Sequence, residues 1–257
     1  MQPKERIDQI LVERGLAETH TRAQALVMAG RVYFSRKNSE RLIKAQKSGE
    51  RIPGDSPVRV ESGPAYVSRG GEKLKSLLEA YPVDLTDKVC LDVGASTGGF
   101  TDCLLREGAG EVWALDCGRN QLHERLRNDE RVKVLEKKNA RYLKPEDFPY
   151  LFDCITADLS FISLEKVLAP LYELLTSSGH MILLVKPQFE LPPSEVKKGI
   201  VREEVKRGKA VNRIVSCLAE FPGRITALFP SAVKGRKGNQ EYFILFNKSE
   251  EKKYGIL

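Results

Sequence analysis

The sequence predicts an α/β protein in which a small α+β unit precedes a doubly wound, seven-stranded and mostly parallel sheet. Three observations lead to this fold class. Short apolar segments alternate with amphipathic ones beyond residue 72, as in strands joined by helical crossovers. A glycine-rich segment, residues 92–100, follows the first of these strands and opens a helix. Finally, the turn at residues 234–239 is too short for a parallel crossover, so the last strand should run antiparallel.

Helix and strand patterns near the start of the chain predict the small unit. Apolar residues recur at helical spacing in two segments that end at glycines, and two later segments have strand character. The predicted elements span residues 4–15, 21–29, 31–34 and 57–60. Either Thr19 or Thr21 should cap the second helix. We place this domain at residues 1–62 and a linker at residues 63–71, which begins with Gly-Pro and ends with a pair of glycines.

The larger domain, residues 72–247, alternates strands with helices. The predicted strands are residues 88–93, 111–116, 132–136, 152–157, 180–185, 224–229 and 242–246. The predicted helices are residues 72–80, 99–107, 120–127, 163–176 and 203–220. Right-handed crossovers between such strands place helices on both faces of one sheet. Residues 248–257 are expected to form a charged tail.

Composition and charge narrow the function classes. The chain has 257 residues and a formal net charge of +7, which fits a polyanionic partner. Its longest apolar run, residues 181–185, is far shorter than the roughly 20 residues that cross a bilayer. The five cysteines and three histidines lack metal-ligand spacing. We therefore expect a cytoplasmic protein with no membrane contact and no structural metal, monomeric by default.

The segment Asp92-Val-Gly-Ala-Ser-Thr-Gly-Gly-Phe100 has the chemistry of a cofactor loop. Its glycines allow the backbone to approach a ligand, and the helix N-terminus behind them faces it. A nicotinamide or flavin protein would carry Gly-x-Gly-x-x-Gly, but Ser96 replaces the second glycine. The segment instead resembles the loop that binds S-adenosylmethionine. The candidate cofactor-binding residues are Asp92, Gly94, Ala95, Ser96, Thr97, Gly98, Gly99, Phe100, Asp116, Asn139 and Asp158.

Three polar residues at strand ends extend this candidate site. Asp116 ends the second strand of the larger domain, where a carboxylate can accept both ribose hydroxyls of an adenosyl group. A strand-end cap is the alternative for Asp116 taken alone. Asn139 follows the third strand, near the expected adenine edge, and Asp158 follows the fourth, near the expected methionine end.

Two lysines and two carboxylates are predicted to meet at the same edge of the sheet. Lys73 lies at a helix start, Asp158 and Lys186 follow strands, and Glu241 begins the last strand. Lys186 directly follows the apolar strand that ends at Val185. A charged side chain at such a position indicates a functional role. Beside a methyl donor, two amines and two carboxylates suit methylation of a ribose hydroxyl. Such a hydroxyl is a poor nucleophile and must be held about 3–3.5 Å from the methyl carbon.

The four side chains, hereafter the tetrad, are expected to have separate roles in the reaction. Lys186 is the candidate base and orienting group, and whether it removes the proton or only orients the hydroxyl stays open. Lys73 would hold the target nucleotide. Asp158 and Glu241 would fix the two amines by hydrogen bonds. An ordinary surface charge is the alternative for Lys73 or Glu241 taken alone.

The small domain resembles the RNA-binding module of ribosomal protein S-four, the alpha-L motif. The resemblance is carried by Thr21-Arg-Ala-Gln-Ala25, Gly30-Arg-Val32 and Gly54-Asp-Ser-Pro-Val58. It implies that basic side chains contact RNA, with a solvated helix face as the alternative. The candidate residues are Arg6, Arg22, Arg31, Arg36 and Lys37, joined in the larger domain by Arg236 and Lys237. Guanidinium groups match phosphate geometry, which supports the same interpretation.

Five segments together resemble the TlyA family. They are Val67-Ser-Arg-Gly-Gly-Glu-Lys-Leu74, Asp92–Phe100, Asp158-Leu-Ser-Phe161, Val185-Lys-Pro-Gln-Phe189 and Gly238-Asn-Gln-Glu241. These proteins, often labelled haemolysins, join an alpha-L module to an FtsJ-like ribosomal RNA 2′-O-methyltransferase domain. The resemblance implies a Rossmann-like class I methyltransferase fold, S-adenosylmethionine as cofactor, ribosomal RNA or ribosomal subunits as partner, and catalysis by the tetrad. Phe161 would stack on a flipped-out nucleotide, or else be a core aromatic at a helix start.

Three other functions compete with this one. Asp158-Leu-Ser-Phe161 stands where base N-methyltransferases carry Asn/Asp-Pro-Pro-Tyr/Phe, but both prolines are missing. An RNA-binding protein with an inactive methyltransferase domain is a second alternative, which the complete tetrad disfavours. A haemolysin acting on membranes is a third, disfavoured because the sequence has no transmembrane run.

Overall fold

The computed structural model describes residues 3–35, 41–61 and 65–249, with the side chain of Arg236 left out. The chain divides into two compact units, Met1–Ala65 and Tyr66–Leu257. Within the described residues, no helix is both long enough and apolar enough to span a bilayer.

The first unit packs two helices against short antiparallel strands. Its elements are β1 (Lys4–Arg6), α1 (Ile7–Glu13), α2 (His20–Met28), β2 (Val32–Ser35), β3 (Leu42–Lys44), β4 (Arg51–Pro53) and β5 (Val58–Val60). β1 pairs with β4, and β2 pairs with β3 on one side and β5 on the other. Ile7, Leu11, Leu26 and Phe34 are buried in one apolar cluster. The unit therefore has a core of its own.

Two details of this unit differ from the predicted elements. Lys4–Arg6 was predicted to begin a helix, which is wrong, because these residues form a strand paired with Arg51–Pro53. Their three charged side chains carry no apolar period, so the pairing partner decides their conformation. β3 and β4 were missed because three residues are too few to show alternation. The second helix is capped by Thr19, whose Oγ1 accepts a hydrogen bond from the Arg22 backbone N at 3.1 Å.

The second unit is an α/β sandwich of three layers. Its helices are α3 (Arg69–Ala80), α4 (Gly99–Arg106), α5 (Glu124–Arg127), α6 (Leu168–Glu173), α7 (Pro187–Glu190) and α8 (Glu204–Leu218). Its strands are β6 (Val89–Val93), β7 (Glu111–Asp116), β8 (Val132–Glu136), β9 (Phe152–Ala157), β10 (Leu175–Val185), β11 (Gly223–Pro230) and β12 (Tyr242–Lys248).

The strands form one seven-stranded sheet in the order β11-β12-β10-β9-β6-β7-β8. β9 and β10 are parallel, as are β6, β7 and β8 with their neighbours. β12 runs antiparallel to both β10 and β11. The predicted fold class, a mostly parallel sheet with an antiparallel last strand, is confirmed. The order reverses beside β6, where ligands bind in open α/β sheets.

Apolar side chains cover both faces of this sheet. Ile182 and Leu184 pack in a cluster with α3 and α4, whereas Met181 and Leu183 pack in a second cluster with α6 and α8. All four residues are at most 1% exposed. A strand buried on both faces reads as a continuous apolar run, which explains why residues 181–185 could be recognised.

Several boundaries in the second unit differ from the predictions. The first helix begins at Arg69, so residues 69–71, which we placed in the linker, form its first turn. The helix predicted at 163–176 is broken, with only Leu168–Glu173 α-helical, since Pro170 is tolerated in a first turn but not in a helix interior. The predicted tail begins too early, because Lys248 ends β12 and donates to two backbone carbonyls.

Candidate active site

Four different elements place the tetrad at the edge of the sheet where β9 and β10 end. Lys73 lies in the second turn of α3, Asp158 follows β9, Lys186 follows β10, and Glu241 precedes β12. Val185 and Tyr242 are the last paired residues of β10 and β12. Lys186 and Glu241 therefore leave neighbouring strands at facing positions.

Lys73 and Glu241 form a buried ion pair. Nζ of Lys73 donates to Oε2 of Glu241 at 2.6 Å. The two side chains are 10% and 3% exposed. Charges with so little access to water are stable only when they are paired. This contact joins α3 to the start of β12 across 168 residues of sequence.

Lys186 and Asp158 form the second ion pair. Nζ of Lys186 lies 2.5 Å from Oδ1 of Asp158 and donates to Oγ of Ser160 at 3.0 Å. Oδ1 is buried and accepts no hydrogen bond of standard geometry from the described residues. The attraction between the two side chains is therefore mainly Coulombic, and Ser160 provides the directional contact to the ammonium.

Gly235 makes room for the Glu241 carboxylate. A Cβ atom at residue 235 would overlap Oε1 of Glu241. The φ angle of Gly235 is −65°, which any residue adopts. Space, not backbone conformation, therefore requires glycine here.

We expect Gly235→Ala to destabilise the protein by about 1–3 kcal/mol, because the added methyl group forces the buried carboxylate to shift. In a Glu241→Ala background this cost should largely disappear, and urea unfolding of the four proteins measures the coupling. Gly208→Ala is the matched control. No atom lies within 4 Å of a Cβ at this helical position, so stability should rise by up to about 1 kcal/mol. Equal costs of Gly235→Ala in both backgrounds would contradict the assignment.

The glycine-rich segment turns sharply between β6 and α4. Gly94 and Gly98 have φ angles of +85° and +96°, a region that favours glycine. Gly98 is the N-cap of α4 and, having no side chain, makes no side-chain cap hydrogen bond. A Cβ on Gly94 would lie 2.8 Å from the carbonyl oxygen of Asp158. The segment therefore directly contacts the backbone of the tetrad.

Asp92, the first residue of this segment, fixes it through side-chain hydrogen bonds. It is completely buried, and its Oδ2 accepts from Thr101 N at 2.9 Å and Thr101 Oγ1 at 2.6 Å. Its Oδ1 accepts from Thr156 Oγ1 at 3.0 Å. Burial raises the pKa of Asp92 to about 6. These bonds tie the segment to α4 and β9.

The other candidate cofactor residues are distributed between surface and core. Ser96 is exposed and Thr97 is half-buried, whereas four others are buried: Ala95, Gly98, Gly99 and Phe100. The carboxylate of Asp116 accepts from Ser96 N at 2.9 Å and from Gly118 N at 2.7 Å. Asn139 is exposed and accepts from Arg141 N at 3.1 Å. Phe100 packs against Phe243, with ring centroids 6.2 Å apart.

Phe161 projects from the protein beside the tetrad. It is 91% exposed and has a φ angle of +64°. Its ring centroid lies 5.2 Å from that of Phe189. The alternative of a core aromatic is therefore wrong. Non-glycine residues with positive φ angles often mark functional positions.

Sequence reasoning did not single out Ser160, Phe189 or Gly235 as site residues. Ser160 and Phe189 stood inside quoted motifs, so their proximity to Asp158 and Lys186 was an available signal. Gly235 gave none, because its contact with Glu241 arises only in the folded chain.

The candidate RNA-binding side chains differ in their surroundings: some donate hydrogen bonds within the protein, and others are exposed. Arg6 donates to the buried carboxylate of Asp8 at 3.0 and 2.7 Å. Arg31 donates to the Glu61 carbonyl at 2.9 and 2.7 Å. Arg22 and Lys237 are exposed. Arg36 and Lys37 lie outside the described residues, as does the side chain of Arg236.

The fold and this site define a class I methyltransferase. The sheet order with one antiparallel strand, the glycine-rich turn after β6 and the carboxylate at the end of β7 are the features of that class. Within the described residues, no group of three or more side chains could hold a metal ion.

Comparisons with known proteins narrow the class to a family. The model of the FtsJ-like methyltransferases matches residues 66–248. YqxC of Bacillus subtilis is 45% identical over 244 residues, which are 94% of this chain and 85% of the relative. The 16S/23S rRNA (cytidine-2′-O)-methyltransferase TlyA of Mycobacterium tuberculosis is 39% identical over 247 residues, 95% of this chain and 90% of the relative.

A solved structure of a Streptococcus thermophilus protein with a hemolysin name aligns with a TM-score of 0.72 at 37% identity, covering 98% of this chain and 90% of that one. The chain belongs to the FtsJ-like methyltransferases and, among them, to the TlyA family.

Proposed function

We propose that this protein transfers a methyl group from S-adenosylmethionine to a ribose 2′-hydroxyl of ribosomal RNA. The observation that carries the proposal is the presence of two ion pairs, the buried Lys73–Glu241 and the half-buried Lys186–Asp158, next to a glycine-rich turn. The name of the M. tuberculosis relative supports the choice of ribosomal RNA and of the 2′-oxygen. A cytoplasmic location follows from that substrate.

The residues around the glycine-rich turn fit an adenosyl cofactor. Asp116 uses two of its lone pairs on Ser96 and Gly118 and has others for ribose hydroxyls. Gly94 and Gly98 give the turn its positive φ angles, and Asn139 follows β8. We assign Asp92 to holding the turn, because it is completely buried. When bound, S-adenosylmethionine supplies an electrophilic methyl group.

The tetrad then acts on the ribose hydroxyl. Lys186 is held by Asp158 and Ser160, so its amine is placed to orient the hydroxyl or to accept its proton. Lys73 is fixed by Glu241 and would contact the target nucleotide. Holding the oxygen in line with the methyl group supplies most of the rate enhancement expected of such a site.

Phe161 is proposed to stack on the target nucleotide. Replacing it by alanine should raise the KM for RNA by about 5- to 150-fold, because stacking of one base contributes about 1–3 kcal/mol. Cofactor affinity should not change. The stability of the fold should also persist, since the ring is 91% exposed. Methylation kinetics and calorimetry measure the two quantities.

Val205→Ala is the control for Phe161→Ala, because Val205 is an exposed apolar residue at 85% exposure on α8. It should leave the KM unchanged. If Phe161→Ala leaves the KM for RNA as in the wild type, the proposed stacking is wrong. Phe161→Trp should retain a low KM, since a larger ring still stacks.

The first unit is proposed to be an alpha-L RNA-binding domain over residues 1–62, ahead of a methyltransferase domain over residues 72–247. Arg22 presents an exposed guanidinium there, while Arg6 and Arg31 keep further N–H donors beyond their internal contacts. In the second unit Lys237 reaches the Lys198 carbonyl at 3.5 Å. Both lysines are exposed, and basic side chains of this kind suit contacts with phosphates.

The deciding experiment is the transfer of labelled methyl groups from S-adenosylmethionine to purified ribosomal subunits. The modified nucleotide is then mapped by its resistance to alkaline cleavage. A resistant linkage at one position would establish ribose 2′-O-methylation. Label on a base would instead identify an N-methyltransferase. No label, with the cofactor still bound, would identify an RNA-binding protein whose methyltransferase domain is inactive on these particles.

A further inference from the structure

Glu190 is a buried carboxylate that the proposed chemistry does not use. It ends α7 and is 2% exposed. Oγ of Ser163 donates to its Oε2 at 2.5 Å, and the backbone N of Leu164 donates to its Oε1 at 3.0 Å. Both donors lie at the end of the segment that carries Phe161. The carboxylate therefore attaches the end of that segment to α7.

Two segments of the chain contact each other three times around Glu190. Residues 158–164 form the first, hereafter the aromatic loop, and residues 186–190 form the second. Lys186 contacts Asp158 and Ser160 at the start of the loop. The rings of Phe161 and Phe189 meet in the middle, and Glu190 binds the end. The Lys186–Asp158 pair, the two aromatic rings and the buried carboxylate thus all lie along the contact between these two segments.

The backbone of the loop needs such support. Phe161 has a φ angle of +64°, which is unfavourable for a bulky residue and persists only where its surroundings impose it. Its side chain is 91% exposed, so burial of its own ring cannot supply the constraint. The constraints near this residue include the contact with Phe189, the bond from Lys186 to Ser160 and the two hydrogen bonds to Glu190.

Glu190 is itself anchored to the helical layer. Nη1 of Arg213 on α8 donates to the Glu190 carbonyl at 3.0 Å, and its Nε donates to Glu165 at 2.8 Å. Arg213 therefore contacts both α7 and the residue that follows Leu164. A residue whose backbone is held in this way can define the position of the loop that its carboxylate binds.

We propose that Glu190 is a positioning residue that fixes the aromatic loop, so that Phe161 presents its ring to the target nucleotide while Asp158 keeps its ion pair with Lys186. This inference rests on the proposed function, because it gives the loop a role in holding RNA. Glu190 itself touches neither the reacting atoms nor the nucleotide.

Hydrogen exchange tests the attachment without any substrate. In Glu190→Ala the amides of residues 158–166 should exchange about 5- to 150-fold faster, because two hydrogen bonds to a buried carboxylate are lost. Glu190→Gln should remain close to the wild type, since its amide can accept from Leu164 and donate to Ser163. Ser163→Ala, the milder variant if Glu190→Ala does not fold, should accelerate the same segment less. Unchanged exchange in Glu190→Ala overturns the proposal. If Glu190→Ala does not fold, unchanged exchange in Ser163→Ala overturns it instead.

Kinetics distinguish positioning from general stability. Glu190→Ala should raise the KM for RNA about tenfold, by loosening the stacking ring. In a Phe161→Ala background the same change should have little further effect on this KM. An equal rise in both backgrounds overturns the proposal.

The two proposals can fail separately. If the wild type transfers no methyl group to ribose, the proposed function is wrong, and the KM for RNA is replaced by the dissociation constant for the same ribosomal particles. Hydrogen exchange then still decides whether Glu190 fixes the aromatic loop. If the wild type methylates ribose and Glu190→Ala matches it in exchange and KM, the positioning role alone is wrong.

Discussion

Replacing Lys186 by alanine is expected to abolish methyl transfer while cofactor binding persists. The side chain is 10% exposed and is held by Asp158 at 2.5 Å and Ser160 at 3.0 Å. Its removal takes away the group that orients or deprotonates the hydroxyl. Loss of such a group lowers rates by about 10²–10⁴-fold. The glycine-rich turn and Asp116 are untouched, so calorimetry should give an unchanged cofactor affinity.

The control for Lys186→Ala is Lys209→Ala. Lys209 also pairs with a carboxylate, Glu195, at 2.5 Å, but its side chain is 62% exposed. Exposed ion pairs contribute little, so this variant should transfer methyl groups like the wild type. Turnover retained in Lys186→Ala would remove the lysine from the mechanism. Equal losses in both variants would show that the assay responds to any lost ion pair.

Lys186→Arg separates orientation from proton transfer. A guanidinium donates hydrogen bonds but is not deprotonated in proteins. Substantial activity in Lys186→Arg would therefore indicate that the residue orients the hydroxyl. A loss as deep as in Lys186→Ala would favour proton acceptance, provided that calorimetry and unfolding show the variant to be intact.

Much of the sheet could be predicted because its central strands are buried on both faces. Residues 111–116, 132–136 and 152–157 were predicted with the bounds that the structure gives them. Helix ends were harder, since they depend on contacts made elsewhere. Leu175 begins a strand although its neighbours extend a helical pattern, because it pairs with Phe152. Such pairing cannot be inferred from local periodicity.

Asp158, Lys186 and Glu241 could be singled out because charged residues at the ends of apolar strands are unusual, whereas Lys73 stood at a predicted helix start. What the sequence could not show is how the four are paired. Lys73 meets Glu241, and Lys186 meets Asp158, across 168 and 28 residues of chain. Gly235 and Glu190 escaped notice for a related reason. Gly235 supports the site by leaving space for the Glu241 carboxylate, and Glu190 supports it through the hydrogen bonds of its own carboxylate. No local sequence pattern reveals either contact.

Replacing Glu241 by alanine should destabilise the fold by about 3–5 kcal/mol, because Lys73 would be left buried without its partner. Both residues belong to the few charged side chains that are less than 9% exposed. Urea unfolding followed by circular dichroism measures the loss. A loss below about 1 kcal/mol would mean that water reaches Lys73 and that the pair acts like one on the surface.

The double variant Lys73→Met with Glu241→Leu tests whether the pair exists for stability or for chemistry. Replacing both charges by apolar residues of similar size is often neutral or stabilising, so this protein should fold about as well as the wild type. We expect it to transfer no methyl groups while still binding the cofactor. Full stability without activity would show that the ion pair is retained for the reaction. A stable and active double variant would instead assign Lys73 and Glu241 to the core alone.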